Sequence, residues 1–220
     1  MSKTDLIIIV LAVIGIFFLI VFLVWIFERF NIRKNGYHYV TPQRLAGRQG
    51  EVFVSGLIQE VLTSEDIYLE NIPIVFDGMQ SELDNVIINS NGIFIIEVKN
   101  YYGEMTGEED DEEWVKIKVT NAGSYPERIR NPIKQVKRQI YILSHLLEAE
   151  HINCRINGYI FFVNANSPVE SPYILRTLGD IEQAIHSKAD EFLPKEEQDK
   201  IKRCFTFGKD HGSDNDVHKK

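Results

Sequence analysis

The chain has 220 residues, with 24 Lys and Arg against 32 Asp and Glu for a formal net charge of −8. That length suits about one folded domain with additions, and 44% hydrophobic with 25% charged residues excludes collagen-like, wholly disordered and disulfide-scaffold proteins. The acidic balance excludes a surface broadly coated with nucleic acid, so any phosphate binding has to be local.

Residues 6–27 contain no charged or strongly polar side chain, and Gly15 is the only break in the apolar run. At about 1.5 Å per residue, such a run crosses the roughly 30 Å hydrocarbon layer as a helix. A cleaved signal peptide would carry an apolar core of about 7–15 residues ending in small side chains. This one ends in Trp25, Ile26 and Phe27, so residues 1–28 read as a retained single-pass anchor in the cell membrane. Lys3 precedes the span while Arg29, Arg33 and Lys34 follow it, which predicts an outside N-terminus and a cytoplasmic soluble domain. The first 34 residues carry a net +2 and the remainder −10. Residues 29–42, with their Asn35-Gly36 and Thr41-Pro42 steps, read as a juxtamembrane linker.

Gln43 to Leu62 places Val54, Leu57, Ile58 and Val61 at helical spacing. Ile67 to Phe76, Leu83 to Ile88 and Ile93 to Val98 are β-rich runs divided by Asp77-Gly78 and by Asn89-Ser90-Asn91-Gly92, a strand and then a tight hairpin. Trp114 to Val119 reads as a further strand. Asn131-Pro132 opens a second helix with Ile133, Val136, Ile140, Leu143 and Leu147 on one stripe, and Ile156 to Asn164 follows as a strand. This order predicts a layered α/β domain with a mixed sheet between helices. Helices near Asp180 to Ala189 and Lys195 to Lys202 belong to a C-terminal extension over 165–207 and read as peripheral, and 208–220 as a disordered tail.

The hairpin sets charge inside apolar strands. The period of two puts Ile95, Glu97 and Lys99 on one face of their strand. If the loop is Ser90-Asn91, Asp84 lies opposite Glu97; if it is Asn91-Gly92, Asp84 lies opposite Lys99. Either even-length loop gathers two carboxylates and an ammonium within about 5 Å between opposed Cβ atoms. Adjacent carboxylates need a shared proton, a cation or a divalent metal, and hard oxygen ligands favour Mg²⁺ or Mn²⁺. The plain alternative is a cross-strand salt bridge.

Two helices offer partners. Glu51, three residues before Val54, shares the side of the apolar stripe on the first helix. Gly47 and Gly50 would let that helix approach another backbone closely. On the second helix Gln135 and Gln139 flank the apolar stripe, while Arg128, Arg130, Lys134, Lys137 and Arg138 form a dense basic cluster. Such a cluster suits a polyanion, or is simply a solvated face. The acidic run Glu108 to Glu113 is expected to be a solvated loop.

The ordered set Gly47-Arg-Gln-Gly-Glu51, Glu82-Leu-Asp84, Gly92-Ile-Phe-Ile-Ile-Glu97-Val-Lys99-Asn100, Gly103, Trp114 and Asn131-Pro132 with Gln135 resembles the nuclease-related domain, a branch of the PD-(D/E)XK restriction-endonuclease-like superfamily. It covers about residues 43–164. The resemblance implies a restriction-endonuclease-like mixed sheet flanked by helices, and a Mg²⁺-type ion on Asp84, Glu97 and the Val98 backbone carbonyl. It implies Lys99 in the catalytic position, Glu51 and Gln135 as accessory site residues, and cleavage of nucleic acid, DNA before RNA. The basic residues Arg130, Lys134, Lys137 and Arg138 are then the expected nucleic-acid contacts.

Other classes fit less well. The chain has no GxSxG, GxGxxG or Walker sequence, which removes the motif basis for a serine hydrolase or a nucleotide-binding fold. Cys154 and Cys204 form no CxxC pair, so a structural zinc site is not expected and a reducing compartment is. The competing expectation is a catalytically inactive, membrane-tethered nucleic-acid-binding or regulatory module on the same fold.

Overall fold

The computed structural model describes residues 42–120, 123–189 and 192–211. The apolar run 6–27, the linker up to residue 41 and the tail beyond 211 lie outside the described residues. Among the described residues no helix is long and apolar enough to cross a membrane.

Helix α1 (Pro42–Val61) leads into a meander of β1 (Ile67–Phe76), β2 (Met79–Asn89) and β3 (Gly92–Lys99). After β4 (Met105–Thr106), β5 (Glu113–Thr120) and β6 (Gly123–Arg130) come α2 (Pro132–Ala149), β7 (Ile156–Phe162), β8 (Ile174–Leu175), α3 (Leu178–His186) and α4 (Lys195–His211). The fold is α/β, and its main sheet has the order β1-β2-β3-β7-β8. β1, β2 and β3 pair antiparallel, whereas β7 lies parallel to β3 and β8 parallel to β7. The sheet is therefore mixed, as the alternation of strands and helices predicts.

Strand alternation sends successive side chains to opposite faces. Val86, Ile88, Ile93 and Ile95 meet Ile142, Leu143 and Leu147 of α2 and Ile201 and Phe205 of α4. Ile87, Phe94 and Ile96 meet Val54 and Ile58 of α1 and Ile181 and Ile185 of α3. Both faces of β2 and β3 are thus covered where they pair, which explains the unbroken apolar runs 86–88 and 93–96. The expectation that the last two helices are peripheral is corrected here. Ile181, Ile185 and Ile201 are fully buried, so α3 and α4 close the two faces of the sheet.

The hairpin loop is Ser90-Asn91, with Asn89 paired to Gly92 and Asn85 to Ile96. Gly92 has φ +126, and a Cβ there would stand 2.5 Å from the Arg155 carbonyl oxygen, so the turn requires glycine.

A second, three-stranded antiparallel sheet, β4-β5-β6, is an element that the sequence pattern does not predict. Trp114 anchors it: the ring is fully buried, stacks on Phe162 at 6.3 Å, and packs with Ile133, Val136 and Ile160.

Candidate active site

The register of the hairpin brings Asp84 level with Glu97, on the face that looks toward α2. The Val98 N–H donates to Asp84 Oδ2 at 2.8 Å, so the aspartate side chain takes a backbone donor at the end of the β2–β3 ladder. The β1–β2 ladder is also interrupted at this level. It runs from Glu70↔Asn85 to Ile72↔Leu83 and skips Asn71, which holds φ +52 opposite Asp84. Left-handed backbone at a non-glycine residue is strained, and Asn is among the few that tolerate it.

Glu97 is the most buried acid of the cluster, with 3% of its surface exposed. Its Oε1 accepts from Lys99 Nζ at 2.5 Å and from Gln135 Nε2 at 2.6 Å. Its Oε2 accepts from Gln139 Nε2 at 2.6 Å. Gln135 and Gln139 sit one turn apart on α2, so a single helix face presents both amides to one carboxylate. Gln139 also donates to the Glu82 carbonyl at 2.9 Å, is fully buried, and leaves its own Oε1 without a hydrogen-bond partner. The sequence pattern sets Gln139 beside the apolar stripe without marking a role for it; an amide at a core position one turn after Gln135 is the signal that the chain offers.

Electrostatics follow from burial and crowding. Burial first, then the charge of Glu97, pushes the Asp84 carboxyl up to about 7, against the opposing pull of the Val98 N–H and Lys99. Burial, then the charges of Glu82 and Glu97, raise Glu51. For Lys99, burial disfavours the ammonium, but Glu97, Tyr101 and Asp84 outweigh it and hold the group above its ordinary value. Lys99 is therefore a standing cation among three acids, and proton abstraction by it at neutral pH is disfavoured.

These groups open on one cavity of about 570 Å³, lined by Gly47 and Glu51 from α1, by Asp84, Glu97 and Lys99, and by Lys116–Val119 of β5. The close approach of α1 falls at Gly50, where a Cβ would stand 2.6 Å from Asn100 Cβ. The Asn100 side chain in turn donates to the Ala46 carbonyl at 2.7 Å. Gly47 makes no such close approach, its nearest neighbour being Glu51 Oε1 at 3.9 Å.

The basic cluster has a different environment from the one its sequence implies. Arg128 and Arg130 belong to β6, and Lys134, Lys137 and Arg138 to α2. The acidic run folds against them: Lys134 pairs with Glu112, Lys137 with Glu109 at 3.8 Å, and Arg128 with Glu113 at 3.2 Å. Arg138 donates to the Gln80 carbonyl at 2.8 Å. Arg130, Lys134, Gln135 and Arg138 line an open groove of about 1060 Å³ beside the cavity, together with Asp111, Glu112 and Glu113. Asn131 organises this arrangement. Fully buried, it accepts from the Ile133 N–H as the cap of α2 and donates to the carbonyls of Glu109 and Asp111 at 2.9 and 2.8 Å. The acidic run is an exposed loop, as expected, but one tied down through its backbone.

Residues 46–163 match the family model described as nuclease-related domain. The chain is also 24% identical over 184 residues to an uncharacterised protein of Bacillus anthracis, covering 79% of this chain and 81% of the relative. No solved structure matches.

Proposed function

The chain belongs to the nuclease-related domain family, and on that premise we propose that its cavity hydrolyses phosphodiester bonds of nucleic acid, DNA before RNA, with Mg²⁺ or Mn²⁺. The observation that carries this reading is the convergence of Asp84, Glu97 and Lys99, with Glu51, on one cavity. Lys99 is the one ammonium that contacts the carboxylate cluster directly, while Lys116 and Lys118 on the opposite wall of the cavity pair with Glu127, and the donors that face the cavity from the cluster are hard oxygens. Among the described residues no group of three or more His, Cys, Asp or Glu side chains forms a ready metal cage. That donor set fits Mg²⁺, which binds through one or two carboxylates, keeps several waters and uses substrate phosphate. Asp84, Glu97 and the Val98 carbonyl would hold the ion. When bound, it supplies Lewis-acid polarisation of the phosphoryl oxygen and makes water a stronger nucleophile.

The chain's own residues do the positioning. Gln135 and Gln139 hold the Glu97 carboxylate in one orientation, and the Val98 N–H does the same for Asp84. Lys99 acts as a point charge that holds a phosphate oxygen or orients the attacking water by donation. Glu51, with its raised affinity for a proton, serves as the accessory group that exchanges a proton with water in the cavity.

The apolar length of residues 6–27 and the basic residues that follow support a single-pass anchor that holds this site at the cytoplasmic face of the cell membrane, with the bilayer as a partner. A second reading, an inactive nucleic-acid-binding module, is favoured by one observation: both Glu97 oxygens already accept hydrogen bonds from the protein.

The test incubates the full chain with linear, nicked and single-stranded DNA and with RNA, in Mg²⁺ or Mn²⁺ and in EDTA, beside Lys99→Ala and Asp84→Ala. Cleavage should require the metal and fall by about 10²-fold or more in both variants. Cleavage that persists in EDTA or in both variants would refute the assignment. Intact binding with no cleavage by the wild type would establish the second reading.

A further inference from the structure

We propose that Tyr102, Lys116, Lys118 and Tyr125, at the rim of the cavity, form a platform for single-stranded nucleic acid. The substrate entering the site is then a single strand or a frayed duplex end; this rests on the nuclease reading above.

Position is the first support. Tyr102, Lys116 and Lys118 line the same cavity as Asp84, Glu97 and Lys99. Tyr125 pairs with Lys118 across the β5–β6 ladder. Isolated exposed tyrosines are ordinary on protein surfaces; here Tyr102 lines the cavity of the carboxylate cluster and Tyr125 lies across the ladder from its lining residue Lys118. Tyr102 is 66% and Tyr125 45% exposed, so their rings are available to stack.

Charge is the second support. Lys116 Nζ stands 4.8 Å from the Tyr101 ring centroid and Lys118 Nζ 5.9 Å from that of Tyr125. Glu127 lies 3.2 Å from the first ammonium and 3.9 Å from the second, which leaves the group one net positive charge. Cations interleaved with aromatic rings match a strand in which phosphates and bases alternate.

The platform is also held in place. Asn164 and Asn166 donate to the Tyr101 carbonyl at 2.8 and 3.0 Å, and Asn166 to the Gly103 carbonyl at 2.8 Å. Gly103, at φ +91, packs where a Cβ would stand 2.5 Å from the Ile117 carbonyl oxygen. The Tyr101-Tyr102 segment is thereby seated against β5 before any ligand arrives, which lowers the cost of ordering it on binding.

Single strands are favoured over duplexes for a physical reason. Duplex binding draws mainly on neutralising many phosphates, and in the neighbouring basic cluster Arg128, Lys134 and Lys137 are paired with Glu113, Glu112 and Glu109 while Arg138 donates to the Gln80 carbonyl. Stacking on tyrosine requires a free base face, which paired and stacked bases do not offer. It contributes about 1–3 kcal/mol per base, enough to dominate where few phosphates are contacted.

The test measures fluorescence anisotropy of the full chain in EDTA with labelled oligothymidylate, oligouridylate and a blunt DNA duplex. Either single strand, DNA or RNA, should bind at least tenfold tighter than the duplex. Tyr102→Ala combined with Tyr125→Ala should weaken strand binding by about tenfold or more, and the two Tyr→Phe changes should restore it. Both positions are exposed, so the Phe pair separates lost stacking from lost folding. Equal binding of duplex and strand, or an unchanged Ala pair, overturns the inference. If the wild type shows this strand preference but cleaves nothing in Mg²⁺, the nuclease reading alone fails. If the Ala pair cleaves single strands at the wild-type rate, the platform alone fails.

Discussion

The side-chain amide of Gln139 lies 2.6 Å from Glu97 Oε2 and donates there, while its second N–H reaches the Glu82 carbonyl. One buried amide thus links helix α2 to the central acid on β3 and to the backbone of β2. Replacing it with Leu, of similar bulk, leaves a buried carboxylate and a buried carbonyl short of donors, a loss of about 1–3 kcal/mol. We expect Gln139→Leu to lower the unfolding free energy by that amount, read as a lower urea midpoint at unchanged m-value, and to reduce turnover. Gln139→Glu should be worse, since it sets a third carboxylate against Glu97. An unchanged midpoint in both variants would mean that the bond contributes nothing.

Asp84 is held at a cost to stability. Its carboxyl is pushed from the ordinary range up to about 7 by burial and by Glu97, so between those values the folded state binds the proton that the unfolded state has lost. Stability from this group therefore falls as pH rises from about 4 to about 7, and the deficit persists above. Asp84→Asn should raise stability by on the order of 2–4 kcal/mol at pH 8 and change it little at pH 4. Thermal unfolding of both proteins at the two pH values measures this. An equal shift at both pH values would count against a charge origin.

The acidic loop competes with any phosphate for the basic residues of α2. Glu109→Gln with Glu112→Gln frees Lys137 and Lys134 from their partners. Because each exposed pair contributes only about 0–1 kcal/mol, folding should be nearly unaffected. Binding of duplex DNA at low salt should strengthen several-fold, with a steeper dependence on salt concentration. Unchanged affinity would show that Lys134 and Lys137 stand outside the nucleic-acid path.

Asn131 combines two tasks that separate variants can divide. Asn131→Asp keeps the acceptor for the Ile133 N–H but loses the donors to Glu109 and Asp111, while Asn131→Ala loses both. Loss of the cap costs about 1 kcal/mol, and orphaned carbonyls add to it. Hydrogen exchange should show faster loop amides in both variants and a frayed start of α2 in Asn131→Ala alone. Identical protection in both would refute this division.

Much of the site is legible along the chain because strand geometry is local. A period of two places Glu97 and Lys99 on one face, and an even hairpin loop puts Asp84 there too. The choice between the two loops depends on the packing of Gly92 against Arg155, a contact between residues distant in sequence. Glu51 and Gln135 are legible from helical phase, and the structure places both beside the carboxylates. The second sheet is not legible. Every residue of β6 is at least partly exposed and Pro126 interrupts it, so no alternation of apolar and polar residues marks it as a strand. The burial of α3 and α4 is equally hidden, since short amphipathic helices read alike whether or not they cap a sheet.

The sequence by itself determined the α/β order and the acids and lysine of the hairpin, because these follow from periodicity and turn chemistry over short stretches, and its ordered motifs carried the resemblance to the family. Only the tertiary structure decided that Gln139 joins Gln135 on Glu97, that the acidic loop engages the basic helix, and that β5 forms a wall of the cavity that holds the carboxylates. The reason is physical: hydrogen bonds and ion pairs act over a few ångströms in space, and which distant segments come that close is set by how the whole core packs.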